Sequence, residues 1–133
     1  MRAAVSAKAS VRCFRAVTTI GLTLPGVETA TKYDGSPVLK VDGCFMAGLA
    51  THASAEPETL IVRADLEQRG GLLDDDPDTY YLTDYYRPHP VVLVRLSRIE
   101  EGALRDLLAL SRRLTLPRTP SGRRQRHDSF PQR

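Results

Sequence analysis

Between Val27 and Ala50, apolar and polar residues alternate through three short runs, VETATKY, SPVLKVDG and CFMAGLA. A period of two places alternate side chains on opposite faces of a strand, so each run predicts a strand with one buried face. Pro37 and Asp42-Gly43 mark tight turns between these short runs. The three runs therefore predict an antiparallel sheet. ETLIVRA, TYYLT and VVLVRL extend the reading to further strands.

Helical spacing appears on either side of these strands. Val11, Phe14, Val17 and Gly21 or Leu22 recur every three to four residues until Leu24-Pro25-Gly26 stops the pattern. DLEQRGGLL from Asp65 predicts a short helix, whose Gly70-Gly71 pair weakens its last turn. Before the last helix, Ser97 and Glu100 have the spacing of a capping box. Ala103, Leu104, Leu107, Leu108 and Leu114 then form one apolar stripe. The order of elements describes an α+β domain, a two-layer sandwich with an antiparallel sheet and helices packed on one face. The expected core includes Val38, Phe45, Leu60, Val62, Val92, Val94, Leu104 and Leu107.

A chain of 133 residues, 41% apolar and 26% charged, fits one globular domain. The expected division is a flexible leader over 1–10, the domain over 11–116 and a basic, disordered tail over 117–133. The leader has basic residues and no acid, a composition shared with targeting segments, although Arg12 and Arg15 interrupt the apolar stretch a signal needs. Cys13 and Cys44 stand far apart, so no disulfide framework or zinc knuckle is suggested and a cytoplasmic setting is expected. No apolar run reaches the roughly 18 residues of a membrane span.

Net charge is +3, but its placement matters more. Residues 1–22 carry +4, residues 112–133 carry +6, and residues 23–111 hold eight bases against fifteen acids, a net of −7. The basic character belongs to the ends.

Enzyme templates are absent: there is no G-x-S-x-G elbow, Walker loop, G-x-G-x-x-G turn or H-E-x-x-H pair. Cys44 has no neighbouring histidine, and His89 has no ligand-spaced partner. Asp74, Asp75, Asp76 and Asp78 form a dense carboxylate run, yet the run lacks an EF-hand glycine and Pro77 stiffens it, which reads as a solvated turn. No cofactor and no catalytic residue is implied. Tyr85, Tyr86 and Arg87 precede the last apolar strand in a loop where rings and a guanidinium can stack on bases and meet phosphate. Alternatively, the tyrosines cover the end of the sheet and Pro88-His89-Pro90 stiffens a turn.

LPGVETATKYDGSPVLKVDGCFMAGL, LIVRADLEQRGGLLDDDP and YYLTDYYRPHPVVLVRL together resemble the MmcQ/YjbR family in order and spacing, over about Val11 to Leu114. Members run from L-P-G-V-E through Y-x-G-x-P, a V-x-G-K strand pair and D-P to L-T-x-H-Y-x-G-Y-P and V-L-V-R-L. The sequence departs from that pattern at Cys44, at Tyr85 and at Pro88-His89-Pro90. The resemblance implies the CyaY-like sandwich also found in frataxin, and a DNA-binding role described as a double wing. For that role the candidate contacts are Tyr33, Lys40, Tyr86, Arg87 and Arg95, which match the family's pattern, together with Lys32, Tyr85 and the tail's Arg123, Arg124 and Arg126, which are read from their own chemistry. The expected partner is DNA, with a protein partner or frataxin-like metal handling as alternatives and no membrane. A folded body at −7 repels phosphate unless Lys32, Lys40, Arg87 and Arg95 converge on one face.

Overall fold

A computed structural model describes residues 13–116. The leader over 1–10, Val11 and the tail with Arg123, Arg124 and Arg126 lie outside the described residues. Among the described residues three helices, α1 (Phe14–Gly21), α2 (Leu66–Asp75) and α3 (Glu101–Thr115), pack against a six-stranded sheet. Its strands are β1 (Val27–Thr31), β2 (Pro37–Val41), β3 (Cys44–Leu49), β4 (Thr59–Arg63), β5 (Tyr80–Tyr81) and β6 (Val91–Arg95). All pairings are antiparallel, in the order β1-β2-β3-β4-β6-β5. The α+β sandwich expected from the sequence is the fold observed.

The β2–β3 turn is the one its two residues demand. Asp42 and Gly43 have φ of 51° and 83°, the left-handed values of a two-residue hairpin, and Val41 pairs with Cys44 beside them. The ladder slips between Leu39 and Lys40, which pair with Ala47 and Phe45. Met46 is thereby the extra residue of a bulge and is fully buried in the helix-side core. The same shift leaves Phe45 opposite Lys40 on the other face, half-buried rather than in the main core as expected.

Alternation then sorts the strands. Leu60, Val62, Val92 and Val94 meet Leu104, Leu107 and Leu108 of α3 and Val17 and Ile20 of α1 in the helix-side core. Buried Ser111 ties the two layers by donating to the Met46 carbonyl at 3.1 Å. Ile61, Val91 and Leu93 point the opposite way and build a second, smaller cluster with Tyr86.

Helix starts follow tertiary demand as well as caps. Asp65 caps α2 by accepting from Gln68 N–H at 2.8 Å, and the helix runs through Gly70-Gly71 to Asp75. The expected capping box of α3 does not form: its N-cap is Glu100, whose side chain makes no capping bond to the helix, and Ser97 sits in the preceding turn. Leu96 and Ile99 are both buried, and burying both requires that turn before the helix can begin.

Candidate functional site

The helix-free face of the sheet has two unlike halves. Over β4, β6 and β5 the segments 50–56 and 82–90 fold down as a cover. Its centre is Tyr86, 1% exposed, with Ile61, Val91 and Leu93 beneath it and Phe45, Ala50, Tyr81 and Tyr85 packed around. The His52 ring stacks on Tyr85 at 3.5 Å, and Tyr86 meets Tyr85 edge-on at 5.0 Å. His52 Nδ1 accepts the Ser54 N–H at 3.0 Å, and Ser54 Oγ lies 2.9 Å from Thr83 Oγ1. Nδ1 also lies 2.9 Å from Ser54 Oγ, and with its ring stacked on Tyr85 the imidazole fastens one loop to the other.

The TDYYRPHP loop is also fixed from below. One guanidinium nitrogen of Arg69 on α2 donates to the carbonyls of Arg87, His89 and Val91 at 3.2, 2.8 and 3.2 Å. Arg87 itself is exposed, with Asp84 3.9 Å away. The loop is thus a rigid lid with its middle tyrosine inward, and Tyr85 is half-buried against His52.

Arg95 is fully engaged within the domain. It grips Glu56 through two bonds of 2.9 and 2.8 Å, donates to the carbonyls of Pro77 and Asp78 at 3.2 and 2.9 Å, and lies 4.2 Å over the Tyr81 ring. The bidentate pairing holds the Glu56 carboxyl below its ordinary range. A phosphate would have to displace all of this.

The other half, over β1, β2 and β3, carries no such cover among the described residues. Lys40 stands between Glu28 of β1 and Phe45 of β3. Phe45 lies over Gly48: a Cβ there would sit 3.1 Å from the ring and 2.7 Å from Val38, which is why glycine occupies the position. Lys32, half-buried, reaches the Leu49 carbonyl at 3.4 Å, and burial lowers its pKa against the opposing pull of Asp34. Tyr33, in the turn between β1 and β2, is 76% exposed. Lys32 pairs with Ser36, four residues before Lys40, so the two ammonium-bearing side chains start about 13 Å apart on one face. Lys32 and Lys40 share this half, and Tyr33 stands exposed in the turn at its end. Tyr85, Tyr86, Arg87 and Arg95 belong to the covered half, so the four cations do not form one open stripe.

The carboxylate run is only half a turn: Asp74 and Asp75 end α2, Asp76 caps it, and Asp78 lies in the turn that follows. Asp76 takes the Thr79 hydroxyl at 2.7 Å and, through its carbonyl, the N–H groups of Thr79 and Tyr80. Among the described residues no group of three or more His, Cys, Asp or Glu is placed to hold a metal ion. No helix among them is long and apolar enough to cross a membrane. His52 escaped selection in the sequence because THASAEPE has no periodicity; its partner is more than thirty residues away.

Burial pushes the phenols of Tyr86 and Tyr80 above their ordinary value of 10.0. A raised folded pKa means stability is fully present below pH 10 and is lost as pH rises through the folded values. Denaturant stability should therefore stay level from about pH 7 to 9 and fall above about 10, and Tyr86→Phe should make that fall shallower.

No family model and no curated protein matches the sequence. Among solved structures, Deinococcus radiodurans protein DR2400, a DUF419 domain, superposes with a TM-score of 0.64 at 19% identity, covering 94% of each chain. Its fold is related to the MmcQ/YjbR family. At that identity the likeness gives the fold of this chain, the α+β sandwich, and nothing finer.

Proposed function

We propose that the domain is a non-enzymatic binding module that takes nucleic acid, DNA in the first instance, on the uncovered half of its helix-free face. Lys40 and Tyr33 are the contacts, Lys32 adds local positive charge, and the arginines of segment 117–133 supply long-range attraction. One observation carries this reading: Lys40 lies where no loop covers the sheet and Tyr33 stands exposed in the turn at its end, while Tyr86 and Arg95 are consumed in holding the fold. A phenol ring gives a stacking surface for a base and an ammonium gives a phosphate contact.

Charge sets the division of labour. Residues 13–116 hold eleven bases against fifteen acids, a net of −4, so most of the domain repels phosphate. Segment 117–133 holds five arginines and one aspartate, a net of +4. The negative body favours a second reading, a basic protein partner.

Fluorescence anisotropy with a labelled duplex and a labelled single strand, across a salt series, separates the two. Lys40→Gln should flatten the slope of log K against log salt by about 0.9 on duplex DNA. Tyr33→Ala should cost about 1 to 3 kcal/mol on the single strand. Unchanged affinity in both variants would remove the nucleic-acid reading from this face.

A further inference from the structure

We propose that the protein self-associates edge to edge, with β1 of two copies pairing antiparallel about a two-fold axis at Ala30, so that Glu28 of each copy lies opposite Lys32 of the other. The argument begins with the sheet's two ends. β5 offers two residues, Tyr80–Tyr81, whereas β1 offers five, Val27–Thr31, and no strand lies beyond it among the described residues. Sheet edges of this kind are usually blunted by proline, a bulge, brevity or charged side chains, and here the only such device is the pair Glu28 and Lys32, whose charges are opposite. β1 contains no proline, and its register with β2 is unbroken.

The direction of its free groups follows from one bond. Lys32 N–H donates to Ser36 O at 2.8 Å, which makes Lys32 and Ser36 a hydrogen-bonded pair. Bonded pairs recur at every second residue, so Ala30 and Glu28 also turn their N–H and C=O toward β2. Thr29 and Thr31 turn theirs outward, and both residues are exposed. Val27 is the next in that series, but its N–H is already given to Leu24 O at 3.3 Å.

These constraints choose the register. A two-fold axis at Ala30 sets Thr29 against Thr31 of the second copy on both sides, which makes four backbone bonds from groups that are free. The same axis sets Glu28 against Lys32 twice, in the wide, non-bonded positions where cross-strand side chains come closest. Both residues belong to the series that projects onto the helix-free face, so the opposite charges meet on one surface. Moving the axis to Thr29 requires the Val27 N–H and leaves Glu28 opposite Ala30. Moving it to Thr31 sets Glu28 against Asp34, a like-charge pair. Lys32 is free to turn toward Glu28, because its present contact with Leu49 O is long at 3.4 Å. Pairing ends at Lys32, so Tyr33 and Lys40 stay open in both copies, and the inference does not depend on the proposed ligand.

Sedimentation equilibrium on the full chain, from about 1 to 200 µM without nucleic acid, tests it. A monomer–dimer equilibrium is expected. Thr29→Pro removes an outward N–H at a position where β2 needs none, so its circular dichroism should match the parent while the dimer is lost. Glu28→Lys alone and Lys32→Glu alone should each weaken the dimer about tenfold, because two attractive pairs become repulsive. The Glu28→Lys, Lys32→Glu double variant should recover the parent constant. A full chain monomeric at 200 µM, a dimer indifferent to Thr29→Pro, or single and double variants that weaken alike would each overturn the proposal.

Discussion

Tyr86→Ala should destabilise the domain by about 3 to 5 kcal/mol, the range for emptying a buried aromatic site. Tyr86 is the keystone of the smaller core: its ring covers Ile61, Val91 and Leu93, meets Tyr85 edge-on and is hydrogen-bonded by the backbone of His52. Removing it leaves a cavity and unties segment 50–56 from segment 82–90. Typical domains have about 5 to 15 kcal/mol of stability, so this one change can consume most of it. Tyr86→Phe keeps the ring and loses the bond to the backbone, for a cost of about 1 to 3 kcal/mol. Urea melts of the three proteins check the order. Were Tyr86→Ala as stable as the parent, the loop tyrosine would be a surface residue and the covered face would have to be redrawn.

The second large effect belongs to binding. Deleting residues 117–133 removes Arg118, Arg123, Arg124, Arg126 and Arg133 along with Asp128. If four of those arginines meet phosphates, the salt slope on duplex DNA flattens by about 3.6, and affinity at about 0.1 M salt falls roughly a thousandfold. What survives should depend on Lys40 and Tyr33. Equal affinity with and without the segment would assign all attraction to the folded body, against its net of −4.

The architecture was legible where local rules and tertiary demand agree. Asp42-Gly43, the alternation on either side of it and the α3 stripe each point to the element observed. TLIVR and VVLVR carried more than was read from them: near-continuous apolar runs signal strands covered on both faces, here by helices on one side and by the tyrosine lid on the other. Ser97 misled because a capping box is a local pattern, and the burial of Ile99 outweighed it. The roles of Arg95 and Tyr86 were hidden for a different reason. Arg95 finds Glu56 thirty-nine residues away, and Tyr86 is held by His52, so neither is free in the way its loop or strand position suggested.

Which surface meets the ligand is the central question, and amide chemical-shift mapping of the labelled full chain answers it most directly. On addition of a short single-stranded oligonucleotide at about 50 mM salt, the largest shifts within residues 13–116 should cluster at Lys32, Tyr33 and Lys40 and their neighbours on β1 to β3. Shifts over residues 83–90 with β1 to β3 silent, or shifts confined to residues beyond 116, would contradict the account.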